Sequence, residues 1–112
     1  MQSFKQNILL LIKRYGISMK IDVNIDACKQ GEREALGNLY KAYSDRLKRI
    51  CLHYVEDEST AEDILHDAFI IIFTSINSLK DNSKLEGWMI TIVRNLSLRF
   101  LQSTEKSNIL LS

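Results

Sequence analysis

Between Ala61 and Thr74 the apolar and polar positions separate onto two sides of a predicted helix. At about 100° per residue, the polar side chains fall on one stripe that also carries one apolar side chain. The stripe consists of Asp63, His66, Asp67, Ile70 and Thr74. The opposite face, expected to pack into a core, consists of Ala61, Ile64, Leu65, Ala68, Ile71 and Ile72. An acidic stripe with an exposed isoleucine is typical of a protein-docking surface, and not of a catalytic centre.

The start of this helix is predicted from the sequence Ser59-Thr60-Ala61-Glu62. It fits a capping box, in which the Ser59 hydroxyl and the Glu62 carboxylate each bind a free backbone amide. Acidic side chains near this end also suit the positive end of the helix dipole. Capping does not account for Asp67 or Ile70, which lie further along the helix.

Upstream, apolar residues at three- and four-residue steps predict a helix over residues 32–55. Its apolar positions are Leu36, Leu39, Tyr40, Tyr43, Leu47, Ile50, Cys51 and Tyr54. A short helical stretch over residues 25–30 is expected to stop at Gly31, and residues 4–15 fit an amphipathic helix that stops at Gly16. Residues 17–24 are then a connector. The apolar face of the 4–15 helix consists of Phe4, Ile8, Leu11, Ile12 and Tyr15.

Downstream, residues 77–84 form a predicted polar loop, residues 85–102 the last helix, and residues 103–112 a loose tail. The core face of the last helix is expected to consist of Leu85, Met89, Ile92, Val93, Leu96 and Phe100. The opposite face consists of Gly87, Thr91, Arg94, Asn95 and Leu98, with Trp88 at the border.

The composition supports an all-α fold, a small bundle of three to five helices. The chain of 112 residues is long enough for one core, and it has no Pro and only four Gly. No segment alternates apolar and polar residues as a strand does. The apolar run from Ile8 to Ile12 is too short for a signal peptide or a membrane span. Cys28 and Cys51 lack the spacing of a metal or redox motif, so we expect reduced thiols and a cytoplasmic protein.

Charge is segregated along the chain although its net value is only +1. Residues 56–67 hold six acidic side chains and no Lys or Arg, which leaves fifteen basic against eight acidic residues elsewhere. Such segregation favours two partners of opposite charge. The basic cluster of the 32–55 helix is either a solvated face or a polyanion contact. It consists of Lys41, Arg46, Lys48 and Arg49.

Two constellations suggest chemistry. Asp63-x-x-His66 resembles half of a carboxylate-bridged di-iron motif, but the second copy that such bundles need is missing. No Gly-rich phosphate loop or nucleophile–base spacing is present, so we expect neither an enzyme nor a cofactor.

The second constellation can read nucleic acid, because an aromatic ring stacks on bases while Arg, Asn and Thr contact phosphates and base edges. It consists of Trp88, Thr91, Arg94 and Asn95, and the alternative is that Trp88 anchors the core.

The segment from Ala61 to Phe73, the polar loop, and the segment from Gly87 to Leu96 together resemble region 2 of bacterial sigma-70 family factors. The short extracytoplasmic-function (ECF) group is the most similar type. The upstream pattern Ala35-Leu36-x-x-Leu39-Tyr40-x-x-Tyr43 matches the start of that region. The resemblance spans about residues 25–101.

This resemblance implies a helical domain that binds RNA polymerase and recognises the minus-ten promoter element. Such a domain breaks no covalent bond. The acidic stripe would dock on the clamp coiled coil of the largest polymerase subunit through Asp63, His66, Asp67 and Ile70. The loop would receive a base flipped from the non-template strand. The residues implied to contact promoter DNA are Lys80, Asn82, Lys84, Trp88, Thr91, Arg94, Asn95 and Arg99.

The chain departs from the family pattern in three respects. It has His66-Asp67 where relatives commonly have Gln-Glu, its loop has no aromatic residue, and it ends before the helix-turn-helix domain of full-length relatives. We therefore divide it into an N-terminal helix and connector (1–24), a region 2-like domain (25–102) and a tail (103–112). The leading hypothesis is the promoter-recognition domain of an alternative sigma factor. The alternative is a module that binds polymerase or an anti-sigma partner without productive DNA reading.

Overall fold

The computed structural model describes residues 23–111, with side chains for residues 23–105. Within these bounds the chain forms four α-helices: α1 (Ile25–Lys29), α2 (Arg33–Tyr54), α3 (Glu58–Ser75) and α4 (Leu85–Leu111). Two short 3₁₀ turns, Ile76–Ser78 and Asn82–Lys84, join α3 to α4. The described part has no strand, which confirms the predicted all-α bundle. The helix predicted over residues 4–15 lies outside the described residues.

The connection between α1 and α2 contains Gly31, where the sequence predicts that the first helix stops. Asn24 caps α1, because its side-chain oxygen accepts a hydrogen bond of 3.0 Å from the Ala27 amide. Gly31 then adopts φ +78°, a left-handed conformation that glycine reaches without steric cost. The chain reverses there, and α1 packs against α2 and the first 3₁₀ turn.

The core lies where α2, α3 and α4 pack against one another. Tyr40 of α2 meets Phe69 of α3 with ring centroids 4.8 Å apart, a tilted geometry that aromatic pairs favour. The largest completely enclosed apolar side chains come from all three helices and the first 3₁₀ turn: Leu39, Leu47, Leu65, Ile72, Ile76, Met89 and Val93.

The predicted capping box at Ser59 is wrong. The helix begins at Glu58, and Asp57 is its N-cap, where the carboxylate accepts hydrogen bonds from both the amide and the hydroxyl of Thr60. A carboxylate carries a full negative charge at the positive end of the helix, so it caps at least as well as a serine. Glu62 is engaged elsewhere, as described below.

The buried arc of α3 is rotated from its predicted position. Phe69, absent from the predicted inner face, is only 3% exposed because Tyr40 covers it. Ile71, predicted to be inside, lies at the far edge of this arc and is 36% exposed. On α4 the corresponding error concerns Phe100, which is 41% exposed, whereas Ser97 is fully buried and its hydroxyl donates to the Val93 carbonyl.

The last helix is longer than predicted, since α4 continues to Leu111 and no loose tail begins at residue 103. Nothing between Leu85 and Leu111 stops a helix, because the segment has no Pro and its one Gly, Gly87, lies in the first turn.

Candidate functional site

The acidic stripe lies on the outer face of α3. Four of its members are the predicted docking residues Asp63, His66, Asp67 and Ile70. All four side chains are exposed, and Ile70 is the most exposed large apolar residue in the described part, at 62%. Thr74 extends the stripe, although its hydroxyl donates to the Ile70 carbonyl at 2.8 Å. The stripe therefore presents two carboxylates, one imidazole and one apolar side chain on a single rigid helix.

The first acidic residues of α3 serve a different purpose. The Lys48 ammonium of α2 lies 2.9 Å from a carboxylate oxygen of Glu58 and 2.9 Å from one of Glu62. These hydrogen bonds raise the pKa of Lys48, and the bond from Lys48 is the main reason that the pKa of Glu62 is lowered. Four of the six acids of residues 56–67 thus divide into two pairs: Lys48 binds Glu58 and Glu62, whereas Asp63 and Asp67 are exposed.

Two of the four basic side chains on this face of α2 are engaged by other helices, whereas Lys41 and Arg49 remain exposed. Lys48 binds the start of α3, and Arg46 forms an ion pair with Glu86 at the start of α4. No spacing within α2 reveals these partners, because each lies on another helix. His66 joins the same network at its edge, with Nε2 3.4 Å from a Glu62 oxygen.

The connection between α3 and α4 is held to α1 through Asn82. Its side-chain oxygen accepts a 2.6 Å hydrogen bond from the Lys29 ammonium, and its amide nitrogen donates to Asp26 at 3.2 Å. Asp81 caps the second 3₁₀ turn by accepting from the hydroxyl and the amide of Ser83, which lowers the pKa of Asp81. The predicted polar loop is therefore an ordered turn, in which Lys80 and Lys84 remain exposed.

The outer face of α4 presents the other predicted nucleic-acid residues. Thr91, Arg94, Asn95 and Arg99 are exposed, and the Thr91 hydroxyl donates to the Gly87 carbonyl at 2.9 Å. Trp88 is half-buried and packs against the core. The interpretation of Trp88 as a core anchor is therefore supported, whereas its contact with nucleic acid stays a prediction.

The sequence did not predict an open groove of about 530 Å³ between α3 and the second half of α4. Ile64 and Asp67 line it on α3. The α4 side consists of Leu96, Arg99, Phe100, Gln102 and Ser103. Asp67 thus belongs to both the acidic stripe and the groove.

Within residues 23–105 no group of three or more His, Cys, Asp or Glu side chains is placed to hold a metal ion. The described helices also include none long and apolar enough to cross a membrane. Cys28 and Cys51 are buried free thiols, and burial is the main cause of the raised pKa of each.

Comparison with known sequences adds an independent observation. The profile of Sigma-70 region 2 matches residues 39–107, which span most of α2, all of α3 and most of α4. This chain belongs to the sigma-70 region 2 family. The ECF RNA polymerase sigma factor SigW of Bacillus subtilis (strain 168) is 29% identical over 82 residues, covering 73% of this chain and 44% of SigW. No solved structure matches significantly.

Two further relatives agree on the family. The ECF RNA polymerase sigma factor BldN of Streptomyces coelicolor is 33% identical over 73 residues, covering 64% of this chain and 28% of BldN. The RNA polymerase sigma factor SigZ of Bacillus subtilis is 30% identical over 73 residues, covering 65% of this chain and 42% of SigZ. The predicted resemblance to ECF-type region 2 is confirmed. This sigma-70 region 2 domain spans less than half the length of these three relatives.

Proposed function

We propose that this chain is the promoter-recognition domain of an alternative sigma factor, acting in the cytoplasm with RNA polymerase. The observation that carries the proposal is the exposed acidic stripe, in a chain that belongs to the sigma-70 region 2 family. The proposed partner of Asp63, His66, Asp67 and Ile70 is the clamp coiled coil of the largest polymerase subunit. Carboxylates around an exposed isoleucine suit a basic helical surface with an apolar centre, since complementary charge steers association and the apolar contact adds affinity.

The second proposed surface binds the non-template strand of the minus-ten element. The proposed phosphate contacts are Lys80 and Lys84, which are exposed, while Arg94 and Asn95 lie exposed on the adjoining helix. The remaining proposed contacts are Asn82, Trp88, Thr91 and Arg99. Flipping a base costs a few kcal/mol of stacking and pairing. Binding the open strand better than the duplex offsets that cost, so promoter melting follows from differential binding.

Charge reversal tests the polymerase surface. Asp63→Lys with Asp67→Lys should lower the affinity for core polymerase about tenfold, or roughly 1.4 kcal/mol, because two attractive contacts become repulsive. Glu34→Lys with Asp45→Lys makes the same charge change at exposed positions of α2 and serves as the control. Titration of labelled protein with core polymerase measures both. Equal affinities for the two double variants would contradict the docking assignment.

Fluorescence anisotropy with single-stranded DNA tests the second surface. We expect weak, salt-sensitive binding to a strand with a minus-ten sequence, which Arg94→Ala with Asn95→Ala lowers by about tenfold. Arg33→Ala with Asn38→Ala on α2 is the matched control. Indistinguishable binding to scrambled strands would remove the sequence-reading role.

A second candidate function is a module that binds polymerase or an anti-sigma partner without productive DNA reading. Two observations favour it: the segment 77–84 has no aromatic side chain to stack on a flipped base, and Asn82 is already bonded to Lys29 and Asp26. This candidate predicts that Asp63→Lys with Asp67→Lys still lowers the affinity for polymerase, whereas Arg94→Ala with Asn95→Ala leaves DNA binding unchanged.

A further inference from the structure

The side-chain amide of Asn82 is bound by two residues of α1, and their chemistry fixes its orientation. The amide oxygen accepts a 2.6 Å hydrogen bond from the Lys29 ammonium, and the amide nitrogen donates a 3.2 Å hydrogen bond to the Asp26 carboxylate. An ammonium group only donates and an ionised carboxylate only accepts. Of the two flipped orientations that an amide can adopt, only one therefore satisfies both neighbours.

The two α1 residues are themselves held in place by the core. Ala27 and Cys28, which lie between them in sequence, are buried, and the Asn24 cap holds the start of the helix. Residues three apart lie on the same face of a helix, so Asp26 and Lys29 are neighbours on α1. The orientation of the Asn82 amide is thus tied to the packing of α1 and not to the connection alone.

The two hydrogen bonds leave the amide with free capacity. A side-chain amide has two N–H donors and an oxygen with two lone pairs, so one donor and one acceptor of Asn82 remain. Among residues 23–105 its side chain makes no further hydrogen bond. Asn82 is half-buried, and Lys80 and Lys84 in the same connection are exposed. A nucleotide that reaches this turn meets basic side chains for its phosphate and an oriented amide for its base.

We propose that Asp26 and Lys29 are positioning residues that determine which class of base Asn82 accepts, one with an exocyclic amine or one with an exocyclic carbonyl. On the Watson–Crick edge, adenine and cytosine present an amine donor beside a ring acceptor, whereas guanine and thymine present a carbonyl acceptor beside a ring donor. An amide held in one orientation pairs with one class and meets like groups in the other, whereas a free amide flips and accepts both. This assignment rests on the proposed function, in which Asn82 contacts the non-template strand.

The orientation of the amide is measurable without DNA. Asp26→Asn with Lys29→Gln replaces both neighbours by amides, which donate and accept, and leaves the net charge unchanged. By nitrogen-15 NMR relaxation, the order parameter of the Asn82 side-chain amide should be above about 0.8 in the parent chain and below about 0.6 in this variant. Arg33→Gln with Glu34→Gln, exposed on α2, is the matched control and should leave the amide rigid. A mobile amide in the parent chain, or an equally rigid one in the variant, would overturn the positioning role.

Base discrimination tests the consequence. Fluorescence anisotropy with single strands, in which each position of the minus-ten sequence carries each of the four bases in turn, measures the preference. At one position the parent chain should prefer one class about fivefold, the lower end of what a base contact contributes. Asn82→Ala should lose this preference and so identify the position. Asp26→Asn with Lys29→Gln should lose it as well, whereas Lys29→Arg, which keeps a neighbour that only donates, should retain it.

The alternative outcomes separate positioning from damage to the fold. A uniform loss of affinity for all four bases in Asp26→Asn with Lys29→Gln would overturn the proposal, because a merely structural role does not distinguish one class of base from the other. A preference that survives Asn82→Ala at every position would overturn it too. Absence of DNA binding by the parent chain would instead contradict the proposed function, while the relaxation measurement would still decide whether α1 orients the amide.

Discussion

The two proposed binding surfaces differ in how far the rest of the molecule engages their side chains. On α3, Asp63, His66, Asp67 and Ile70 all lie exposed on one helix face. On the second surface, Asn82 of the connection is held by Lys29 and Asp26 of α1, and Trp88 of α4 is half-buried against the core. A partner can bind the first surface without displacing contacts to other helices. On the second surface, Asn82 and Trp88 also make contacts that hold the fold together.

This difference separates binding from stability. Substitutions on the stripe should change association and leave the folded state intact, because those side chains contribute little to the core. Substitutions at Asn82 or Trp88 should change both, since each holds part of the fold together. Measuring stability and binding on the same variants therefore distinguishes the two surfaces.

The largest effect is expected where neighbouring residues of α3 face opposite ways. Phe69→Ala should lower the free energy of unfolding by about 3–5 kcal/mol, because it leaves a cavity against Tyr40. Ile70→Ala, one position along, should change it by less than about 0.5 kcal/mol and should weaken polymerase binding. Urea denaturation followed by circular dichroism measures both. Similar losses of stability for the two variants would contradict the separation of core and docking faces.

A smaller effect is expected at the connection. Asn82→Ala should lower the free energy of unfolding by about 1 kcal/mol, because it removes the hydrogen bonds to Lys29 and Asp26. Lys80→Ala, exposed in the same connection, should leave stability unchanged and reduce only the salt dependence of DNA binding. Unaltered stability of Asn82→Ala would contradict the structural role of its side chain and remove this difference between the two surfaces.

The sequence predicted those features that depend on one helix. Periodicity predicted α2, α3 and the start of α4, and it predicted the exposure of Ile70, because spacing along a helix determines which residues share a face. It misplaced Ile71 and Phe100 at the edges of their faces, where exposure depends on the neighbouring helix. The partners of Lys48 and Asn82 and the α3–α4 groove were not predictable, since each joins residues distant in sequence.

The smallest expected effect is the loss of stability at low pH that arises from carboxylates hydrogen-bonded within the fold. Hydrogen bonds lower the pKa of Asp57, mainly from the Thr60 hydroxyl, and likewise lower those of Glu62 and Asp81. A carboxyl with a lowered pKa in the folded state stabilises that state above its unfolded pKa, about 4, and the contribution is lost as the pH falls through the folded pKa. Stability should therefore decrease below about pH 4, by a modest amount because these groups are exposed.

Asp57→Asn makes this last expectation specific. Asparagine still caps a helix but does not titrate, so the variant should show a smaller fall in melting temperature between pH 7 and pH 3 than the parent chain. Thr60→Val, which removes the hydroxyl donor and keeps the carboxylate, should change the pH dependence in the same direction. If both variants retained the full acid sensitivity, the cap would not contribute to it, and the loss would have to arise at Glu62, Asp81 or the outward-facing acids of the stripe.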